Sequence, residues 1–200
     1  MKVMIDLYSG LGGASEAFLD DPEWFVVRFE NNIELLGDVP NTHFIDILEM
    51  ADNLEEIPMT PDRPDFIWAS PPCLEFSHGY NAPAMIAKRE GREFAPDLSH
   101  IEASMKIINH FRPRRWCVEN VAGAVPHFNK IIGLKPDRVG PFHLWGNLPP
   151  VILPKGYTPP SKVSMSGSTP MSANNRAKIP YEVSRAVKEA VRQPGLEGWL

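Results

Sequence analysis

Residues 3–13 read Val3-Met4-Ile5-Asp6-Leu7-Tyr8-Ser9-Gly10-Leu11-Gly12-Gly13, an apolar run followed by a glycine-rich turn. Helix-forming residues come next at 14–18, so the stretch predicts a strand, a turn and a helix in succession. Glycines let the backbone approach a ligand closely, which favours a nucleotide-like ligand at this turn. The glycine spacing matches neither a P-loop nor the dinucleotide fingerprint, so a plain tight turn is the alternative interpretation.

The same alternation of strands and helices continues along the chain. Apolar runs predict further strands at residues 25–29, 44–48, 66–69 and 116–118, and helical spacing predicts a helix at residues 101–111. Strands that alternate with helices pack as a mostly parallel sheet with helices on both faces. The sequence therefore predicts an α/β fold with a doubly wound sheet, and ligand sites at the carboxyl ends of its strands.

Length and composition predict one globular domain followed by two smaller segments. The 200 residues are 43% apolar, which is enough for one sizeable core over residues 1–148. Residues 149–180 are rich in Pro, Ser, Gly, Met and Asn, which predicts a loop or arm. Apolar residues then return at helical spacing, so residues 181–200 are predicted to form a C-terminal helix that packs back on the domain.

Charge is unevenly distributed along a chain whose formal net charge is -5. Residues 1–100 carry 6 Lys/Arg against 19 Asp/Glu, whereas residues 101–200 carry 14 against 6. The predicted arm contributes Lys155, Lys162, Arg176 and Lys178 to the basic half. A polyanion is therefore expected to meet the second half, although the segregation could also be incidental to a mixed surface.

Cysteine content and hydropathy define the expected compartment. The chain has two cysteines, too few for a disulfide framework and not spaced as metal ligands. It has neither an apolar run of about 18 residues nor a signal peptide. The sequence therefore predicts a soluble cytoplasmic protein with reduced thiols, no metal site and no membrane partner.

The two cysteines have different surroundings in the sequence. Two prolines directly precede Cys73, and they fix the backbone at the end of a predicted strand, as expected for a thiol whose position matters. Cys117 lies inside an apolar strand and fits a buried structural thiol. Glu119 follows the predicted strand that contains Cys117. If this strand neighbours the one that ends before Cys73, Glu119 could face Cys73. Such a pair combines a thiol nucleophile with a carboxyl group able to carry a proton.

Two further acidic residues follow predicted strands. Glu30 ends the second strand, where a carboxylate suits hydrogen bonding to ribose hydroxyls. Asp46, near the end of the predicted third strand, could accept a hydrogen bond from an adenine amino group. Taken alone, an acidic residue at such a position is more often a solvated loop residue.

Taken in order, these elements resemble the cytosine-C5 DNA methyltransferase family. The elements are Asp6 to Gly13, Glu30, Asp46-Ile47, Pro71-Pro72-Cys73 with Phe76-Ser77, and Glu119-Asn120-Val121. The resemblance covers roughly residues 1–125. It implies a Rossmann-like methyltransferase fold that uses S-adenosylmethionine, gives S-adenosylhomocysteine as product, and methylates C5 of cytosine.

The resemblance also implies roles for individual residues. Cys73 would add to C6 of cytosine, Glu119 would support protonation at N3, and Asn120 would orient the Pro-Pro-Cys loop. The cofactor's methionine part would lie at Ser9–Gly13, its ribose at Glu30 and its adenine at Asp46. The full set of implied cofactor contacts is Asp6, Tyr8, Ser9, Gly10, Gly12, Gly13, Glu30, Asn31, Asp46, Ile47 and Pro71.

Three elements depart from the family pattern. Leu74 replaces the glutamine that usually follows the Pro-Pro-Cys cysteine. The family's Gln-x-Arg-x-Arg element, whose arginine contacts the cytosine, is absent. His143, or failing that Arg138, is predicted to take its catalytic place. The family's closing Asn-x-Val-Pro element has no clear counterpart before Ile179-Pro180.

Little chain is left for a target-recognition region, since only about 30 loop-like residues follow the catalytic half. The expected partner is cytosine-containing DNA. A short recognition region implies either relaxed sequence specificity, or a homodimer or an accessory partner that supplies the specificity. Such economy fits a small phage-type enzyme in the cytoplasm of a bacterial or phage-infected cell. Two alternatives stay open: a cofactor- and nucleic-acid-binding module that has lost turnover, and a C5-modifying enzyme that acts on a free cytosine nucleotide.

Overall fold

The computed structural model describes residues 1–35, 39–56, 63–159, 175 and 177–194. Half of the predicted arm, residues 160–174 and 176, lies outside the described residues. So do residues 195–200 at the end of the predicted C-terminal segment.

The described residues form one sheet of seven strands, in the order β3-β2-β1-β4-β5-β7-β6. They are β1 (Lys2–Leu7), β2 (Trp24–Glu30), β3 (Thr42–Phe44), β4 (Phe66–Ala69), β5 (Arg115–Asn120), β6 (Asp137–Val139) and β7 (Phe142–Gly146). Strands β1 to β5 pair in parallel, and β7 runs antiparallel to both β5 and β6. The structure confirms the predicted α/β class with a mostly parallel sheet. The antiparallel pair β6–β7 was not predicted.

Helices cover both faces of this sheet. The described residues form α1 (Glu16–Leu19), α2 (Ile47–Asp52), α3 (Pro83–Arg89), α4 (Ser99–Phe111), α5 (Val125–Ile132) and α6 (Tyr181–Arg192). One apolar core lies between the sheet and α2, α4 and α5, and a second lies between the sheet and α1 and α6. The fold is therefore doubly wound, of Rossmann-like type. Within the described ranges no helix is both long and apolar enough to span a bilayer.

The prediction of a strand over residues 44–48 is wrong. Strand β3 ends at Phe44, and Ile47 already begins helix α2. Asp46 causes the change, because its Oδ1 accepts a hydrogen bond from the amide of Leu48 at 2.8 Å and so caps the helix. Short apolar runs do not separate a strand from the first turn of a buried helix.

The C-terminal helix α6 packs against α1, directly behind the glycine-rich turn. Ser184 joins the two segments, since its Oγ donates to the carbonyl of Ala14 at 2.7 Å and accepts from the amide of Ala17 at 3.1 Å. Lys188 adds an ion pair to Asp21 at 3.4 Å. The end of the described chain thus supports the segment that follows the turn.

Candidate active site

A cavity opens at the carboxyl ends of β1, β4 and β5, the edge at which parallel sheets bind ligands. The glycine-rich turn lines one side of it, through Tyr8 to Gly10 and Gly13. Pro71, Pro72 and Cys73 line another side, together with Glu119. The structure thus brings three separate parts of the predicted site around one space.

The backbone of the turn needs glycine for two different reasons. Gly12 has a φ of +70°, in the left-handed region that side-chain-bearing residues rarely adopt, and its amide donates to the carbonyl of Ser9 at 2.7 Å. At Gly13 the reason is space, because an added Cβ would lie 2.4 Å from the carbonyl oxygen of Ile179. Tyr8 also has a positive φ of 60°, a strained conformation for a non-glycine residue and a common feature of ligand sites.

Two polar groups of the turn bear on ligand binding. The Oγ of Ser9 is buried beside the cavity and has no hydrogen-bond partner among the described residues. Burial of a hydroxyl group without a hydrogen-bond partner costs free energy. A polar ligand that forms a hydrogen bond with Ser9 would remove this cost. The hydroxyl of Tyr8 instead donates to the carbonyl of His100 at 3.0 Å, which fixes the tyrosine ring at the cavity wall.

Glu30 is held rigidly at the end of β2. One carboxylate oxygen accepts from the amide of Gly10 at 2.7 Å, and the other accepts from the amides of Asn31 at 3.1 Å and Asn32 at 2.9 Å. A carboxylate has about four acceptor positions, so about one remains for a ligand hydroxyl. Glu30 therefore anchors the turn and keeps the capacity for the predicted ribose contact.

Asp46 is connected to Glu30 through Asn31, whose backbone amide donates to Glu30. The side-chain Nδ2 of Asn31 donates to Oδ2 of Asp46 at 3.0 Å. Burial opposes ionisation of Asp46, but hydrogen bonds from Asn31 and from the backbone outweigh it, so its pKa is lowered. Ile47 points into the core. Of the predicted adenine-side residues, Asn31 and Asp46 form one polar group, and Ile47 belongs to the packing beneath it.

Asp6 does not line the cavity. Its side chain is completely buried beneath the turn, where Oδ2 accepts from the hydroxyl of Ser15 at 2.5 Å. Burial raises the pKa of Asp6 from 3.8 to about 6, although the hydrogen bond from Ser15 and the charge of Arg28 act in the opposite direction. A direct cofactor contact by Asp6 stays a prediction, and the structure places its side chain in a supporting position.

The cysteine loop is fixed by Asn120. Its Nδ2 donates to the carbonyl of Pro71 at 2.9 Å, and its Oδ1 accepts from the amide of Val121 at 2.9 Å. Asn120 is itself buried, with 1% of its surface exposed. This is the contact expected of a residue that orients the Pro-Pro-Cys loop, and it holds the half-buried Cys73 at the cavity wall.

Cys117 has the surroundings of a structural thiol. It is completely buried in the core between the sheet and α6. Burial, followed by the charge of Glu119, raises its pKa well above the ordinary value. A thiol that resists ionisation is a poor nucleophile, so Cys73 is the better candidate for chemistry.

Strand pairing separates His143 from the cavity. Glu119 lies opposite Leu144, and Asn120 lies opposite His143. Because successive side chains of a strand point to opposite faces, His143 and Glu119 lie on different faces of the sheet. Arg138 pairs with His143 and shares its face. The structure therefore does not bring either predicted replacement for the missing arginine to Cys73 and Glu119.

Three features of the site were missed in the sequence. Phe142 lines the cavity from β7, in the place expected for its neighbour His143. Lys178 to Pro180 form a further wall, and the Nζ of Lys178 pairs with Glu16 at 2.9 Å. The signal for this wall was Ile179-Pro180, directly before the helical spacing of α6. The third feature is Arg28, which is buried beneath the turn. The sequence signal for it was a charged residue inside an apolar strand.

No family model matches the chain, and no curated protein matches it. Among solved structures it is similar to an E. coli prophage-encoded protein described as a candidate DNA modification methyltransferase. That likeness has 14% identity over 68% of this chain and a TM-score of 0.40. The chain spans 39% of the length of that protein.

The chain is similar at the same low level to two further solved structures. Human methyltransferase-like protein 13, in complex with S-adenosylhomocysteine, is 13% identical, with 100% of this chain and 89% of that chain covered and a TM-score of 0.44. A methyltransferase of Entamoeba histolytica is 11% identical, with 84% and 61% covered and a TM-score of 0.48. Likenesses this weak establish neither a family nor a role for this chain. The doubly wound, mostly parallel sheet of this chain is Rossmann-like by its own strand order.

Proposed function

We propose that the chain is an S-adenosylmethionine-dependent methyltransferase that modifies C5 of cytosine in DNA, with Cys73 as nucleophile. The observation that carries this proposal is the meeting of the glycine-rich turn, Cys73 and Glu119 around one cavity. The resemblance of the same elements to the cytosine-C5 family supports it. Each element alone has a plain structural explanation, but their convergence at the ligand-binding edge of the sheet does not.

The residues that line the cavity suit the cofactor, and so does the group of Glu30, Asn31 and Asp46, which is joined to the cavity wall through Gly10. Ser9 offers a buried hydroxyl that lacks a partner within the described structure, and Glu30 keeps about one acceptor position for a ribose hydroxyl. Asp46 and Asn31 supply further polar groups at the adenine side. When bound, S-adenosylmethionine supplies the electrophilic methyl group that the activated C5 of cytosine takes up.

The chemistry assigned to Cys73 and Glu119 overcomes the weak nucleophilicity of C5. The thiolate of Cys73 forms a bond to C6, and the ring electrons shift toward N3, which takes a proton from the carboxyl of Glu119. C5 is then the nucleophilic carbon of an enamine. After C5 has been methylated, N3 returns its proton to Glu119 and the proton on C5 passes to water. Departure of the Cys73 thiolate then restores the aromatic ring. In duplex DNA the target base must leave the stack to reach this cavity.

Parallel incubation of the protein with labelled S-adenosylmethionine and duplex DNA, single-stranded DNA or dCMP tests this function. Label recovered as 5-methylcytosine from DNA is the expected result. Label transferred to dCMP alone would instead support the enzyme that acts on a free nucleotide. Cofactor and DNA binding without transfer would support the module without turnover, and absence of cofactor binding would contradict the proposal.

Replacement of Glu30 by alanine is expected to weaken S-adenosylmethionine binding by about 1–3 kcal/mol, the cost of leaving hydrogen-bonding groups without their partner. The variant loses the ribose acceptor and also releases the amide of Gly10. Calorimetric titration measures the effect. Glu34→Ala is the matched control, because Glu34 is an exposed acid on the turn that follows β2. The affinity of this variant for S-adenosylmethionine should equal that of wild type. Equal affinities for both variants would remove Glu30 from the cofactor site.

DNA affinity is expected to fall steeply with salt, because the basic second half of the chain would release counterions from phosphates. Lys155→Gln together with Lys162→Gln should flatten the slope of log affinity against log salt by about one unit per lost contact, for all sequences alike. Lys106→Gln is the control, since Lys106 lies on α4 and pairs with Asp52. A loss confined to one sequence would mean that the arm reads bases, and an unchanged slope would place the DNA elsewhere.

A further inference from the structure

Arg28 is a buried cation beneath the glycine-rich turn, with 2% of its surface exposed. It lies on β2, two residues before Glu30, and pairs in register with Asp6 of β1. Its Nε donates to the Oγ of Ser15 at 2.7 Å, and its Nη2 donates to the carbonyl of Gly12 at 3.2 Å. Its Nη1 donates to the carbonyl of Pro40 at 2.9 Å, in the loop that leads to β3.

These contacts make one connected network under the turn. Ser15 passes the hydrogen bond from Arg28 on to the carboxylate of Asp6, so the buried cation and the buried anion are joined through a hydroxyl. Burial of a charged group costs free energy unless hydrogen bonds and an opposite charge offset it. Here the hydroxyl of Ser15 forms hydrogen bonds with both charged groups. A Cβ added at Gly12 would lie 2.9 Å from the guanidinium, so the glycine permits this close approach.

Strand β2 therefore holds the turn at two points. Arg28 fixes Gly12 and Ser15 from beneath, and Glu30, on the same face of the strand, fixes the amide of Gly10 beside the cavity. The turn contains strained backbone, with a positive φ at Tyr8. Strained conformations persist only where the surroundings hold them in place.

We propose that Arg28 is a positioning residue for cofactor binding, because it holds the glycine-rich turn in the conformation that receives the methionine part of S-adenosylmethionine. This proposal rests on the proposed function for the identity of the ligand. It goes beyond that function in assigning the shape of the turn to a residue outside the cavity wall. Asp6 and Ser15 act through Arg28 and complete the network.

Arg28→Lys keeps the positive charge but loses the forked donor geometry that reaches Gly12 and Ser15 together. Removal of hydrogen bonds made by a charged group should weaken cofactor affinity about tenfold to a hundredfold. Steady-state kinetics should show a raised KM for S-adenosylmethionine, with kcat at saturating cofactor and KM for DNA nearly unchanged. Unchanged cofactor affinity in the folded variant would overturn the proposal.

Arg115→Met is the matched control for a purely structural role. Arg115 is also buried, at 6% exposure, but it lies at the amino end of β5, away from the turn. Thermal unfolding should show lower stability for both Arg115→Met and Arg28→Met, whereas only the Arg28 variant should lose cofactor affinity. An equal loss of affinity in both variants would reduce Arg28 to a general stabilising role and contradict the proposal.

Hydrogen exchange in the protein without ligand separates this proposal from the proposed function. The amide of Gly12, which donates to Ser9, should exchange faster in Arg28→Lys and Ser15→Ala than in wild type, and should not change in Arg115→Met. Faster exchange would support the positioning role even if the wild-type protein bound no S-adenosylmethionine. Wild-type exchange rates of the Gly12 amide in both Arg28→Lys and Ser15→Ala would overturn the proposal. This test does not require the Arg28→Met variant to fold.

Discussion

Cys73→Ser should lower the rate of methyl transfer to cytosine by about 10⁴-fold or more, the scale of loss when a covalent nucleophile is removed. The hydroxyl of serine is a far weaker nucleophile than a thiolate, so addition to C6 fails. Affinity for S-adenosylmethionine should stay nearly unchanged, because Cys73 is assigned to the base and not to the cofactor. Transfer of labelled methyl groups and calorimetric titration measure the two quantities separately.

DNA that contains 5-fluorocytosine provides an independent test of the same thiol. Fluorine at C5 blocks the elimination that releases the enzyme, so wild type should remain covalently attached to the DNA and Cys73→Ser should not. Cys117→Ser is the control, because Cys117 is completely buried and its pKa is raised. An adduct that persists in Cys73→Ser but disappears in Cys117→Ser would exchange the roles of the two cysteines.

Much of the fold could be predicted because its central strands are buried on both faces and therefore appear as continuous apolar runs. Strands β1, β2, β4 and β5 all fall on such runs. Strand β6 does not, since two of its three residues are exposed at the sheet edge. The error at residues 44–48 has a local cause, namely the cap provided by Asp46, which turns an apolar stretch into the start of a helix.

The cavity walls were predictable where one short motif supplies adjacent residues, as in the glycine-rich turn and at Pro71 to Cys73. They were not predictable where the position of a side chain depends on pairing between strands. The register of β5 and β7 decides that Phe142, and not His143, lines the cavity. Arg28 shows the same limit, because its donors reach Gly12 and Pro40, residues brought together only by the folded chain.

Glu119→Gln should lower kcat by about 10²–10⁴-fold, the usual contribution of a positioned proton carrier. The amide is close to the carboxyl in size and fills the same place in the cavity wall, but it cannot give a proton to N3 and take it back. Addition of Cys73 to C6 then leaves the developing negative charge of the ring without compensation. Single-turnover measurements of methyl transfer isolate this chemical step from product release.

The accompanying measurements separate a missing proton from a damaged site. Affinity for S-adenosylmethionine should equal that of wild type, and covalent capture of 5-fluorocytosine DNA should become slower without being lost, because the thiol is still present. Glu102→Gln, an exposed acid on α4, is the control for removal of a negative charge and should leave kcat unchanged. A Glu119→Gln variant with wild-type kcat would mean that another group protonates the ring. The assignment of Cys73 and Glu119 as an acting pair would then be wrong, even if the test of Cys73 succeeded.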